Sequence, residues 1–397
     1  MKPRPHPLAR AKLVCRLDRM LGSAWDRGWL NRPPLDPAEL FEKAAIGVRP
    51  GGEEGGRRGD EVADFRLRLD RLTDSLSNEA RLNSLGLAVA HGQLVRVIRQ
   101  RLRLGRWWAR YPHLYQTPVA PPILVVGQMR AGTTRIHRLL AADPAHAATR
   151  FCDSWNPVPQ KAPDLRALKS TFALMGARRI DPWIDSIHPF GARRADEELG
   201  WLASALDHCA YEAQWRIPGF TAFSEARDPA PIYREFARIL ATDAARHGNA
   251  DRPRVMKVPQ FAEDLATVLE QFPDAKVVVA MREPKDVARS AASLVANQMT
   301  IQSDEVDYAW IKREWDRKIA LRQRRMDEAL ATFDGRVARV DFAALEDDWE
   351  GEIAQVYRAL GLKLTPEAQR SMQAEQRRSD QTPHAGHRIQ MRQFQTA

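Results

Sequence analysis

The sequence predicts an α/β fold: a mainly parallel sheet flanked by helices, behind an N-terminal helical region. Three observations lead there. Short β-branched apolar runs alternate with helical patterns from Pro121 onward. A glycine loop, Gly127-Gln128-Met129-Arg130-Ala131-Gly132-Thr133-Thr134, joins the first run to a helix-like pattern. No convincing strand run precedes residue 118. The chain is therefore divided into a helical region, residues 1–118, and an α/β domain, residues 119–397.

In chain order, Leu13–Trp29 and Pro37–Ala45 are expected helices. The glycine-rich stretch from Val48 to Gly59 is a loop by composition. Asp64–Leu76 and Ala80–Leu104 return to a helical pattern, with Leu85, Ala88, Val95 and Ile98 near helical spacing. Arg96–Arg110 is rich in arginine and carries Trp107-Trp108. Basic plus aromatic residues fit a nucleic-acid strip. They also fit a helix with a solvated arginine face and a tryptophan packed on its neighbour, and this second reading is preferred. Beyond Pro121, the expected strands are Ile123–Gly127, Arg254–Lys257, Lys276–Met281 and Val337–Asp341. Thr133–Ala142, Phe261–Phe272, Pro284–Asn297 and Trp349–Leu360 are the expected helices. In such a sheet, ligands sit at the carboxyl ends of the strands, where the glycine loop lies.

Composition narrows the class. Apolar residues make up 44% of 397, enough for a real core. Mean hydropathy is −0.48, and no apolar run approaches the length of a membrane span. The basic start, Met1 to His6, is not followed by an apolar segment, since Arg16, Asp18 and Arg19 interrupt it; no secretory signal is expected. Cys15, Cys152 and Cys209 are odd in number and widely spaced, which gives no disulfide framework or zinc pattern. A reducing, cytoplasmic setting fits. The net charge of +10 suits a polyanionic partner without choosing between a nucleotide, a nucleic acid and an anionic membrane.

The glycine loop nearly fits the phosphate-binding pattern G-x-x-x-x-G-K-[ST]. Thr133 stands where the lysine belongs, and the basic residue, Arg130, lies inside the loop. That lysine serves the β- and γ-phosphates of a triphosphate. Without it, backbone amides and the helix dipole still hold an anion. The sheet is thus P-loop-like, with a phosphate cradle that has given up triphosphate chemistry. The plain alternative is a turn that needs its glycines for geometry alone.

A second candidate lies where Lys276–Met281 runs into Arg282-Glu283-Pro284. Pro284 suits a first helical turn, and Ser290 follows Arg282 by eight residues. A triphosphatase strand often ends here in Asp for Mg²⁺; an arginine binds anions instead. Lys257 closes a third strand. Alone, Arg282 reads as an arginine in a salt bridge at a strand terminus, and Lys257 as an ordinary surface lysine. Together, Arg130, Lys257 and Arg282 form a rim for a polyanion without a metal.

These motifs resemble the sulfotransferases that use 3′-phosphoadenosine 5′-phosphosulfate (PAPS), in particular a bacterial branch related to the tyrosyl-protein enzymes. That family has P-R-[ST]-G-T-T after its first strand; here it is Met129-Arg130-Ala131-Gly132-Thr133-Thr134. It has R-x-P with a serine eight residues after the arginine; here these are Arg282, Pro284 and Ser290. Asp196-Glu197-Glu198-Leu199 and His188-Pro189 are further likenesses, and the resemblance covers roughly residues 38–390. Met129 and Ala131 depart from the family's Pro and Ser or Thr. The segment that often reads K-S-P-x-H in relatives is Lys257-Val258-Pro259-Gln260-Phe261 here, so that histidine is absent.

The resemblance implies in-line, metal-independent transfer of a sulfuryl group from PAPS to a hydroxyl, or less often an amine. Arg130 and the loop residues Ala131, Gly132, Thr133 and Thr134 would hold the 5′-phosphate. Lys257 would neutralise the leaving oxygen, Arg282 and Ser290 would read the 3′-phosphate, and Arg388 would cover the nucleotide. For the base that the acceptor hydroxyl needs, Asp153 ranks first, then His188, then Glu197. The acceptor is a small molecule, glycan or peptide; its pocket is assigned to residues 151–224, with Trp155, Trp183, Trp201 and Trp215 as apolar walls or core. Two rivals stand beside this reading. One is a P-loop kinase or triphosphatase, which Mg²⁺-dependent ATP consumption would reveal. The other is a non-catalytic basic protein that binds nucleic acid, which salt-sensitive binding without donor binding would reveal. A nucleic-acid partner is disfavoured.

Overall fold

A computed structural model describes residues 4–381. Its centre is a five-stranded, wholly parallel sheet of β1 (Ile123–Val126), β2 (Ala147–Ala148), β3 (Arg254–Met256), β4 (Lys276–Met281) and β5 (Val337–Asp341). The spatial order is β2-β3-β1-β4-β5. All four residues of β1 are buried, because β1 is central and covered on both faces. This explains the unbroken apolar run. The edge strand β5 instead alternates, with Ala338 and Val340 buried and Arg339 and Asp341 exposed.

The two faces of the sheet bury separate cores. Leu124, Val126, Val277 and Val279 pack with Phe236, Ile239 and Leu240 of the helix Ala230–His247. Ile123, Val125 and Val278 pack with Ile136, Leu139 and Leu140 of the helix Thr133–Ala141 and with Val356 and Leu360. Alternate residues of each strand thus fasten helices to opposite faces.

Four longer helices precede the sheet: Lys12–Asp26, Pro37–Ala45, Gly59–Asn78 and Ser84–Arg110. Leu69, Leu72, Leu94 and Ile98 bury themselves with Leu206, Trp215 and Phe220 from the segment beyond β2. The arginine-rich end of the fourth helix keeps Arg103 and Arg110 exposed and packs its tryptophan, as expected, but its other arginines depart from a solvated face. Arg99 donates to the carbonyls of Lys43 and Ala44, and Arg106 donates to that of Pro50. Arg101 is buried 4.0 Å from the centroid of Phe65, and buried Trp108 donates to Thr242 Oγ1 at 2.8 Å. Arg99 and Arg101 thus tie helices together, and Arg106 ties the fourth helix to the loop before the third.

Element bounds also differ from the expected ones: the helix expected over Pro284–Asn297 runs on to Gln302, and that expected over Ala80–Leu104 is Ser84–Arg110. β2 has only two residues, both alanine, too short and too weak in strand propensity to read from sequence. Phe261–Phe272 divides into a 3₁₀ turn, Pro259–Ala262, and a helix, Leu265–Gln271. Among the described residues, no helix is long and apolar enough to cross a membrane.

Candidate active site

The glycine loop leaves β1 and turns directly into the helix Thr133–Ala141. Its path demands the two glycines. Gly127 has φ +144, and a Cβ there would stand 2.8 Å from Ala280 O. Gly132 has φ +90, and its Cβ would meet Phe342 Cδ2 at 2.3 Å. Between them, Arg130 takes φ +75, a costly conformation for a residue with a side chain. The Ala131 amide donates to Gln128 O at 3.0 Å and closes the turn. The amides that begin the helix, at Thr133 and Thr134, have no intrahelical acceptor and carry the positive end of its dipole.

Around this loop the expected cations converge. Arg130 donates from Nε to Ser290 Oγ at 2.9 Å and from a terminal nitrogen to Ile187 O at 2.7 Å. Arg282 donates to Arg130 O at 2.9 Å. Its guanidinium lies 4.3 Å from the centroid of Phe342, the ring that also abuts Gly132. Burial lowers the Arg130 pKa to about 10; neighbouring Arg282 adds to the effect and Glu197 opposes it. Two close guanidinium groups raise the local positive potential, which an anion would relieve.

Lys257 stands one residue beyond β3 and is 1% exposed. Its ammonium donates to Thr134 Oγ1 at 3.1 Å and pairs with Glu197 Oε1. Its amide donates to Glu198 Oε2 at 2.9 Å. Burial raises the Glu198 carboxyl to about pKa 7, so neighbouring Glu197 and Glu198 have opposite tasks: one pairs with the ammonium, the other supports the strand end. His188 Nδ1 is 3.9 Å from Glu197 Oε1, and its Nε2 is 3.0 Å from Asp196 Oδ1. His188 depresses the buried Asp196 carboxyl well below its ordinary range against the cost of burial, with help from Arg138. His137, on the buried face of the loop helix, is held neutral with a pKa lowered to about 3 by burial and by Lys257.

Of the three candidate bases, Glu197 and His188 thus join Lys257 in one cluster. Asp153 is held elsewhere. Its carboxylate pairs with Arg150 at 2.5 Å, Arg166 at 3.2 Å and His247 at 3.5 Å. These partners, with the His247 hydrogen bond foremost, outweigh burial and depress its pKa. Trp201 and Trp215 are core residues that donate to Asp153 O and Gln302 Oε1, whereas Trp155 and Trp183 are half-buried. Arg388 lies outside the described residues.

Phe342, Ile187 O and Asp196 were missed as site residues by sequence reasoning. Phe342 follows the end of β5, and the strand-end rule that located the other groups would have pointed to it. Nothing in the sequence marks the Ile187 carbonyl.

The model of the sulfotransferase family matches residues 121–366, which hold this whole constellation. The chain belongs to the sulfotransferase family. Its similarity to known sulfotransferases extends to curated proteins and to solved structures. It is 24% identical over 253 residues to the omega-hydroxy-beta-dihydromenaquinone-9 sulfotransferases Stf3 of Mycobacterium bovis and Mycobacterium tuberculosis. The match covers 61% of this chain, and the chain spans 63% of the length of these relatives. The sulfotransferase STF1 of Mycobacterium tuberculosis superposes with a TM-score of 0.76 at 26% identity, covering 86% of this chain and 94% of that one. STF9 of Mycobacterium avium superposes with a TM-score of 0.75 at 18% identity, covering 85% and 86%, and shares the fold.

Proposed function

We propose that this sulfotransferase moves a sulfuryl group from PAPS to a hydroxyl acceptor by in-line transfer without a metal. The observation that carries the reading is the junction of Arg130 with Ser290 and of Arg282 with Arg130 O. This joins the loop suited to a 5′-phosphate to the pair suited to a 3′-phosphate. A donor with phosphates at both ends of one nucleoside answers to both, whereas a triphosphate needs only the loop and its missing lysine.

Arg130, the amides of Gly132, Thr133 and Thr134, and the two threonine hydroxyls would hold the 5′-phosphosulfate. The Ala131 amide closes the turn, so Ala131 contributes shape. Arg282 and Ser290 would hold the 3′-phosphate. Lys257 would neutralise negative charge on the oxygen that leaves as the S–O bond breaks. We assign the base to Glu197 in place of Asp153, because Glu197 shares the site with Lys257 and Thr134. In this reading Glu197 takes the acceptor proton as the oxygen attacks sulfur, and His188, held by Asp196, accepts or orients beside it. The curated relatives are named for a hydroxylated dihydromenaquinone. We carry over only the class, a hydroxyl on a small or lipid-like molecule. A cytoplasmic setting and the division at residue 119 remain part of the proposal.

Incubating the chain with PAPS labelled in its sulfuryl group and a panel of alcohols, phenols and hydroxylated lipids tests this. A sulfate ester formed in the presence of a chelator is expected. Mg²⁺-dependent ATP consumption with no ester would return the assignment to a kinase or triphosphatase.

A further inference from the structure

The helix Arg166–Ile180 has apolar residues on two opposite faces. Ala167, Ser170 and Leu174 are buried against the protein. Leu165, Leu168, Phe172 and Met175 point the other way and are 42%, 52%, 63% and 48% exposed. Their spacing of three, four and three places them on one stripe. Such a contiguous exposed stripe marks an interaction surface more often than a solvated one.

Charge indicates what it meets. The segment from Leu165 to Ile180 has no acidic residue, and Lys169 and Arg179 flank the stripe, exposed, with Lys161 just before it. The flanking acids do not offset this charge: Asp164 pairs with Arg166 at 2.7 Å, Asp185 pairs with Arg178 at 2.6 Å, and Asp181 is buried and accepts from Asn297. The neighbouring helix Lys12–Asp26, which packs against this one, adds exposed Lys12, Arg16, Arg19 and Met20. An apolar stripe within a basic field matches the interface of an anionic bilayer, where apolar side chains enter the acyl boundary and cations meet headgroups.

The helix is also tied to the site. Arg178 donates to Phe190 O at 2.9 Å, and the Phe190 ring lies 4.3 Å from that of His188. The chain then runs through Ile184–Ile187, whose last carbonyl holds Arg130.

We propose that the outer face of Arg166–Ile180 docks on an anionic lipid surface and brings the site to a hydroxyl carried in that surface. The part concerning the hydroxyl rests on the sulfotransferase reading above; the docking does not. The test is flotation of the full chain with vesicles of phosphatidylcholine alone or mixed with phosphatidylglycerol. Adenosine 3′,5′-bisphosphate affinity is measured on the same samples. Binding to the mixed vesicles that weakens with salt is expected, with at least about tenfold weaker binding for Phe172→Glu and for Leu168→Glu. Retained bisphosphate affinity would show that the variants are folded, and Phe172→Trp should keep vesicle binding. Failure of the wild type to bind mixed vesicles would overturn the proposal, as would equal binding by the Glu variants. A dimer in solution that Phe172→Glu converts to monomer would also overturn it and give the face to a second copy. Vesicle binding without bisphosphate affinity would fault only the donor reading.

Discussion

Arg130 Nε donates to Ser290 Oγ at 2.9 Å, so the loop after β1 and the helix after β4 meet through a charged hydrogen bond. The contact spans 160 residues of sequence. It joins two groups that the proposed function gives to opposite ends of one ligand.

This contact sets the first expectation. A hydrogen bond to a charged group contributes about 1.5–3 kcal/mol. Arg130→Ala should weaken adenosine 3′,5′-bisphosphate binding by about 100-fold and Ser290→Ala by about tenfold. The double variant should lose less than the sum, because the two residues touch. Strict additivity in calorimetry would show that they act independently.

Glu197 is the acid beside Lys257. Glu197→Gln should lower sulfuryl transfer by at least about 100-fold and leave bisphosphate affinity unchanged. Steady-state turnover with any accepted hydroxyl decides it. Near-normal turnover would remove Glu197 from the role and leave His188 as the next candidate.

Asp153 is 1% exposed and contacts three basic groups. Removing one member of a buried ionic cluster costs about 3–5 kcal/mol. Asp153→Asn should therefore shift urea unfolding by that order while bisphosphate affinity survives. A variant of normal stability with abolished turnover would restore Asp153 as the base.

Two groups, one partly exposed and one buried, give the fold a pH dependence. Hydrogen bonds that His247 donates to Asp153 and then to Asp243 raise its pKa from 6.5 to about 9. Its stabilisation is fully present below pH 6.5 and disappears as pH rises through about 9. With partial exposure this amounts to about 1 kcal/mol. Glu198 acts at lower pH. Folded, it keeps its proton to about pH 7, whereas the unfolded carboxyl releases it near 4.5. The native chain binds the extra proton in that window, so stability falls by about 3 kcal/mol across it. Urea unfolding against pH should show both declines. His247→Gln should flatten the one from pH 6.5 to 9, and an unchanged slope would assign that decline to other groups.

Much of the fold was legible because its signals are local. β1 and β4 are rich in β-branched residues and largely buried, and the loop needs glycine at Gly127 and Gly132, where φ is positive. β2 was not legible, since two alanines become a strand only by lying beside β3. The cations of the site could be read from strand ends, a rule of topology. The base could not. Asp153 and Glu197 are both acids in plausible segments, and only tertiary packing gives one to Arg166 and His247 and the other to Lys257. The arginine-rich helix misled for the same reason: whether an arginine is solvated or packed depends on what lies opposite.

The central claim is that one site reads both phosphates of an adenosine 3′,5′-bisphosphate. A calorimetric titration without Mg²⁺, using the bisphosphate, AMP and ATP on the wild type and on Arg282→Ala, tests it most directly. The account expects the wild type to prefer the bisphosphate and Arg282→Ala to lose that preference while still binding AMP. Equal affinity for AMP and bisphosphate in the wild type, or ATP binding that appears only with Mg²⁺, would contradict it.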